Sequence, residues 1–291
     1  MKRIYYNSLY LFASLMLLLS CSKEGEYALT ETAPMDFKTY YNGLTVTFVN
    51  KSENATAISW NFGDNTGEVT GDSVSHTYAS TGKYVINMNG TVEGKAYQFN
   101  TVLRVDKASV ISLTDDSFDD WDLVTYPDFQ LEGKDHVIGG KMDYDANYVY
   151  IYIEYDTVGT NGLASLEGAI MDLYMDVDNT GSTGFSSAIG ADLLFEGNIP
   201  TEWFDYYTFL GTDQSQWNWE YFTMDDAILP GYSEESGNSV KMEFALSREK
   251  LTITKDAFGF TLILNYSDWS GEAGSLAKDN ETKIIMKMDK Q

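Results

Sequence analysis

From residue 44 onward, apolar and polar residues alternate in short runs bounded by Gly, Asn, Asp and Ser. A period of two is the signature of half-buried β-strands. Clear runs are Leu44–Asn50, Lys83–Gly90, Tyr97–Val105, Tyr148–Asp156, Ala169–Asp178, Ser239–Ser247 and Phe258–Tyr266. Helix-period pattern is almost absent, the one expected helical turn being "SREKL", Ser247–Leu251. The chain is therefore expected to be all-β. Residues 22–35 lack periodicity and read as a tether, and the strands pause near residue 108 in "DKASVISLTDDSFDDW". That pause predicts two domains, residues 36–107 and 108–291.

Successive side chains of a strand point to opposite faces. Val149, Ile151, Ile153 and Tyr155 share one face, as do Met171, Leu173, Met175 and Val177. Val240, Met242, Phe244 and Leu246, and then Phe258, Phe260, Leu262 and Leu264, form two more apolar faces that together predict a core. The opposite faces carry Tyr148, Tyr150, Tyr152 and Glu154, then Asp172, Tyr174 and Asp176. If those two strands are neighbours, they present a sheet of tyrosines and carboxylates. Such a surface suits a sugar, since rings stack on pyranose C–H faces and acids accept hydroxyl hydrogen bonds. The alternative is a second layer of packing under a loop.

The stretch "QWNWEYF", Gln216–Phe222, places Trp217, Trp219 and Tyr221 on one face and Gln216, Asn218 and Glu220 on the other. The polar face leaves the rings as the side to bury, so they are expected in the core. The alternative is an edge strand with exposed rings. In "TEWFDYYTF", Trp203, Phe204, Tyr206 and Tyr207 cannot all face inward, and Trp269 sits among loop formers. Trp121 is expected to be buried. The expected ligand-binding set is thus Trp203, Tyr206 and Trp269, joined by Tyr150, Tyr152 and Tyr174.

The formal net charge is −25, from 19 basic and 44 acidic residues. Such a surface repels phosphate backbones, which argues against nucleic acid as a partner. Aromatics at 14% are too many for a disordered acidic chain. At the start, Lys2 and Arg3 precede the apolar run Leu9–Ser20 and then Cys21, the only cysteine. This reads as a secretory signal over residues 1–20 and is too short for a membrane-spanning helix. "LLSCS" resembles a bacterial lipobox, which implies lipidation of Cys21 and a tether over residues 21–35. A cleaved, secreted chain with a coincidental cysteine is the alternative. The following "SKEGE" is similar to the acid-rich export tag of Bacteroidota surface lipoproteins. It implies outer-membrane anchoring with display on the cell surface, periplasmic retention being the alternative.

"ISWNFGDNTGEVTGDSVSHTYASTGKYVINM", Ile58–Met88, resembles the PKD domain. The likeness rests on Trp60, Phe62-Gly63-Asp64-Asn65, His76-Thr77-Tyr78 and Gly82-Lys83-Tyr84-Val85. Asn65 stands where Gly is usual, and Asn also tolerates left-handed backbone angles. The resemblance implies an immunoglobulin-like β-sandwich that acts as a spacer or weak binder, with His76 a structural hydrogen-bonding residue. Beyond residue 108, "DDSFDDWDLV", "ANYVYIYIEYD", "DLYMDVDNTGSTGF", "GADLLFEG" and "VKMEFALSREKL" follow in the order seen in carbohydrate-binding module family 9 and DOMON-like domains. That resemblance implies a larger antiparallel, jelly-roll-like β-sandwich, often sugar-binding.

Asp176, Asp178, Asn179 and Gly181 place hard oxygen donors at a tight turn, with Asp192 further on. Calcium held by Asp176, Asp178 and Asp192 is the metal expectation, although position twelve of an EF-hand count is Ser187 rather than Glu. A plain Asx-rich turn is the alternative. No G-x-S-x-G elbow or Gly-rich loop opening a helix is present, and the two histidines lack an evident nucleophile. The expected function is non-catalytic: a lipid-anchored surface protein that captures glycans for a neighbouring transporter or glycan-degrading enzyme. The rival is an adhesin or structural subunit that binds another protein.

Overall fold

A computed structural model describes residues 34–157, 169–199, 203–253, 255–276 and 283–288. The expected signal segment and Cys21 lie outside the described residues. Among the described residues no helix is long and apolar enough to cross a membrane.

The first seven strands are β1 (Phe37–Asn42), β2 (Thr45–Asn50), β3 (Ala55–Asn61), β4 (Glu68–Thr70), β5 (Ser73–Thr77), β6 (Gly82–Val92) and β7 (Lys95–Val105). They form two antiparallel sheets, β1-β2-β5 and β4-β3-β6-β7. Between them Val46, Phe48, Ile58, Trp60, Phe62, Tyr78, Ile86 and Met88 are buried. The Trp60 indole donates to the Gly71 carbonyl at 2.8 Å. After β3 the chain turns through Gly63 at φ +76° and Asn65 at φ +66°. A Cβ on Gly63 would lie 2.6 Å from the Val85 carbonyl oxygen, so close backbone approach as well as φ requires glycine there. His76 stacks on Phe62 with centroids 4.1 Å apart and meets the Asp64 carboxylate at 2.6 Å. These contacts fit the structural hydrogen-bonding role that the motif implies.

The larger half is built from β8 (Gln130–Glu132), β9 (Lys134–Asp135), β10 (Val137–Tyr144), β11 (Tyr148–Asp156), β12 (Ile170–Asp176), β13 (Leu193–Asn198), β14 (Trp203–Phe209), β15 (Trp219–Phe222), β16 (Ile228–Ser236), β17 (Ser239–Ser247), β18 (Ala257–Asn265), β19 (Glu272–Ser275) and β20 (Ile284–Lys287). The smaller sheet runs β16-β17-β11-β10-β8. The larger runs β15-β14-β13-β12-β18-β19-β9, with β20 also paired to β18. All pairings are antiparallel. The predicted apolar faces of β11, β12, β17 and β18 meet in one buried cluster. Each large side chain fully buried there contributes roughly 1.5–3 kcal/mol.

β11 and β12 do not meet the condition for a shared tyrosine and carboxylate surface: they belong to different sheets, so their outward residues lie on opposite outer faces of the sandwich. "SREKL" forms the expected helical turn, closed by Leu251 N–H to the Ser247 carbonyl at 3.1 Å, and among the described residues the short 3-10 segments Asp119–Leu123 and Pro127–Phe129 are helical as well.

The two buried clusters share no residue, the first spanning Met35 to Val105 and the second starting at Ile111. Charged pairs cross the seam between them. Arg248 donates to Asp106 at 2.7 Å with both side chains almost fully buried. Arg104 pairs with Asp256, and Lys107 with Asp143. Burial pushes the Asp106 carboxyl up against the pull of Arg248. Removing one partner of a buried pair leaves an uncompensated charge and costs about 3–5 kcal/mol. Arg248→Ala is therefore expected to lower unfolding free energy by about that amount in urea denaturation. An unchanged midpoint would show that the seam contributes nothing.

Candidate functional site

The outer face of the smaller sheet is closed. Trp121, on the 3-10 segment after the seam, lies over β11 and β17, with its indole donating to Glu243 at 2.6 Å. Tyr152, opposite Glu243 in register, packs between Trp121 and Phe118, at centroid distances of 5.7 and 5.4 Å. Tyr150 is buried and donates to Asp145 at 2.9 Å. Tyr150 and Tyr152 thus form the second packing layer under a loop rather than a ligand surface.

The outer face of the larger sheet is different. Its register sets Trp203 opposite Asn198, Asp205 opposite Glu196, and Tyr207 opposite both Leu194 and Tyr221. Glu196 in turn lies opposite Asp172, and Leu194 opposite Tyr174. Three levels therefore run across the strands on one face. The first carries Trp203 and Asn198, the second Asp205, Glu196 and Asp172, the third Tyr221, Tyr207, Leu194 and Tyr174. The loop Val177–Asp192 covers part of this face, Phe185 stacking over Tyr174 at 6.1 Å and meeting Trp219 at 5.6 Å. The loop folds back tightly: Gly184 has φ +75°, and a Cβ there would meet the Gly190 carbonyl oxygen at 2.4 Å.

The rings divide differently from expectation. Trp203 is 44% exposed and Trp269 is 51% exposed, the latter at φ +59° in the turn between β18 and β19. Trp217 and Tyr221, expected in the core, are 65% and 55% exposed. β15 begins only at Trp219, so Trp217 precedes the strand and stands against Phe185 at 5.3 Å. Within β15 the residue packed against the core is Phe222, paired with Tyr206, which turns Trp219 and Tyr221 outward. Tyr206 is correspondingly buried on the core face and offers no ring to a ligand. Tyr174 faces outward but is buried beneath Phe185 and Trp219. The accessible set is Trp203, Trp217, Tyr221 and Trp269. A signal for it was available in Asp205: a carboxylate between Phe204 and Tyr206 marks the odd-numbered residues of β14 as the outward ones. At the Phe185 loop, a cavity of about 710 Å³ is lined by Phe185, Ser182, Ser186, Asp213, Gln214 and neighbouring hydroxyls.

Burial pushes the Asp172 carboxyl up to about 6, with one hydrogen bond from Asn265 opposing. Glu196 is raised by burial and by the charges of Asp172 and Asp205.

Asp176, Asp178 and Asp192 do come together, one oxygen from each lying within 4.8 Å of the others. Asp176 accepts from Thr180 N–H at 3.0 Å and from Lys283 at 2.7 Å. Asp192 accepts from the Val177 N–H at 3.0 Å. Asp178 Oδ1 is buried without a partner, so the donor set fits a hard cation, with Lys283 supplying the counter-charge otherwise. Burial and the neighbouring Asp178 charge push the Asp192 carboxyl up to about 6.

Residues 36–106 match the model of the PKD domain. This part of the chain is a PKD domain. It is similar to the crystal structure of the PKD1 domain from Vibrio cholerae metalloprotease PrtV, at 24% identity over 25% of this chain and 95% of that one, with a TM-score of 0.23. The chain is also similar to solved carbohydrate-binding modules. One is a family 9 module from Caldicellulosiruptor kristjanssonii in complex with glucose, at 14% identity over 53% of this chain and 74% of that one, TM-score 0.32. Another is described among promiscuous carbohydrate-binding modules of the β-sandwich superfamily, at 12% identity over 73% and 90%, TM-score 0.23. Likeness of this order says nothing of the ligand. No curated protein matches the chain.

If calcium holds the Asp176 loop, chelator lowers the melting temperature and added calcium raises it, as mass action requires. The absence of any shift across a millimolar calcium range would leave Lys283 as the sole counter-charge.

Proposed function

We propose that this is a non-catalytic glycan-binding protein, which meets its ligand through the outer face of the larger sheet. A lipid on Cys21 would hold it on the outer membrane, and the PKD domain would space the binding face from the lipid surface. A transporter or glycan-degrading enzyme beside it would take the captured polymer onward. The observation that carries this reading is the exposure of Trp203 and Tyr221 on one face of the β14-β15 edge of the larger sheet, with exposed Trp217 just ahead of β15 against Phe185 and Trp219. Large rings left in water forgo their burial energy, and pyranose C–H faces are natural partners for them. The adjacent Asp205 and Glu196 suit sugar hydroxyls as acceptors. A protein-binding face would call for a broader and flatter apolar patch than rings broken up by carboxylates.

A glycan array probed with soluble residues 22–291 tests the reading, followed by paired truncations. Trp217→Ala is expected to keep the melting temperature and lose affinity for every positive glycan. Trp121→Ala removes a buried ring and is expected to cost about 3–5 kcal/mol of stability. Unchanged affinity in both Trp217→Ala and Tyr221→Ala would refute the platform.

The anchor is tested separately. Cys21→Ala is expected to release the protein from the membrane fraction or to leave an unprocessed precursor. Normal processing with retained membrane association would overturn lipidation.

A further inference from the structure

The carboxylates of the glycan face stand in an unusual place. Asp172, Glu196 and Asp205 occupy one level of three adjacent strands, β12, β13 and β14, and point to the same side. With strands about 4.8 Å apart, the row spans roughly 10 Å. Trp203 lies one level to one side of it, and Tyr207 and Tyr221 one level to the other. A ligand stacked across these rings would therefore cross the carboxylates.

Among the described residues no Lys or Arg forms an ion pair with any of the three. Lys283 and Lys255, at the loop end of the sheet, are engaged with Asp176 and the Asp178 carbonyl. Asp172 accepts one hydrogen bond, from Asn265 at 2.9 Å, and its other oxygen is buried without a partner. The groups facing the row are tyrosines. The Asp172 and Glu196 charges, after burial, push the Tyr174 hydroxyl up. Tyr207 is raised by burial and then by Asp205, Glu196, Tyr221 and Asp172 in turn. Two like charges brought together in a partly desolvated face repel strongly, whereas sugar hydroxyls donate to carboxylates.

We infer that Asp172, Glu196 and Asp205 act as a charge filter that restricts the platform to uncharged saccharides and turns away glycans bearing carboxylate or sulfate. This rests on the glycan-binding reading and names the substrate class for that site. The pH sign follows from the raised carboxyls. Asp172 gains a proton as pH falls through about 6, and Glu196, its carboxyl also raised by burial and by the neighbouring charges, gains one before an ordinary glutamate would, so the filter weakens as pH falls. A uronate with an ordinary carboxyl remains charged at pH 5.

The test uses soluble residues 22–291 and a matched pair of polymers, a neutral β-glucan and the same glucan oxidised at C6 to the uronate. Any other neutral polymer positive on the array is treated in the same way. At pH 7.5 the parent is expected to bind the neutral form at least about tenfold more tightly, with a narrower gap at pH 5. Asp172→Asn/Glu196→Gln/Asp205→Asn is expected to close the gap at pH 7.5 and to melt no lower than the parent. Should that variant fold poorly, the double Glu196→Gln/Asp205→Asn, at two half-buried positions, is expected to narrow the gap. The control Asp115→Asn/Asp116→Asn/Asp119→Asn removes equal charge from the segment over the opposite face and should leave the gap intact. A gap that survives in the row variant, or closes equally in the control, overturns the filter while the platform stands. Loss of neutral-glycan binding in a well-folded row variant, whose amide oxygens still accept from sugar hydroxyls, would show that the charges hold the ligand rather than filter it, and would also overturn the inference. Binding of neither polymer, together with a blank array, removes the glycan-binding reading itself.

Discussion

The hydrogen bond from the Trp121 indole to Glu243 decides which face of the larger sandwich is available. Glu243 is fully buried, and a buried carboxylate is tolerable only when its oxygens are satisfied. Here Trp121 donates to one oxygen at 2.6 Å and the Tyr232 N–H to the other at 3.1 Å. Lys141 adds a bond to the Trp121 carbonyl at 2.8 Å, and Asp120 accepts from the Ser112 N–H at 2.6 Å. These bonds pin the segment between the seam and β8 onto the smaller sheet and bury its tyrosines. With the inner faces spent on the common core, the outer face of the larger sheet is left to display large rings.

Much of this arrangement was legible as period-two alternation, and the reasons for the failures are specific. β11 and β17 appear over their predicted residues because each has one unbroken apolar face. Alternation says which residues share a face but not which sheet a strand joins. That is why a shared surface of Tyr152 and Tyr174, each correctly placed outward, depended on strand order, and the two are found on opposite sides of the sandwich. In "QWNWEYF" the polar stripe suggested that the rings were buried. A four-residue edge strand has little obligation to hide anything, and Phe222 alone satisfies the core. Tyr206 departs from expectation because "TEWFDYYTF" is a regular strand over most of its length, with Phe204 and Tyr206 turned inward and Trp203, Asp205, Tyr207 and Phe209 outward. The PKD motif and the convergence of Asp176, Asp178 and Asp192 were legible because both depend on short-range turn chemistry.

Exposed rings on an edge strand carry a hazard, since a flat apolar edge invites pairing with another chain. β15 is short, at four residues, and Glu220 stands exposed between Trp219 and Tyr221. The loop at Phe185 covers the inner part of the aromatic face, and the seam and the Trp121 segment remove other candidate surfaces. The result is a ring cluster narrow enough to stay soluble beside carboxylates that repel one another and their acidic surroundings. The charge that keeps such an edge from self-association is of the same sign as the charge that would oppose an anionic ligand. On the proposed reading, resistance to self-association and ligand selection on this face would draw on a single electrostatic property, and a substitution that relaxed one would also shift the other.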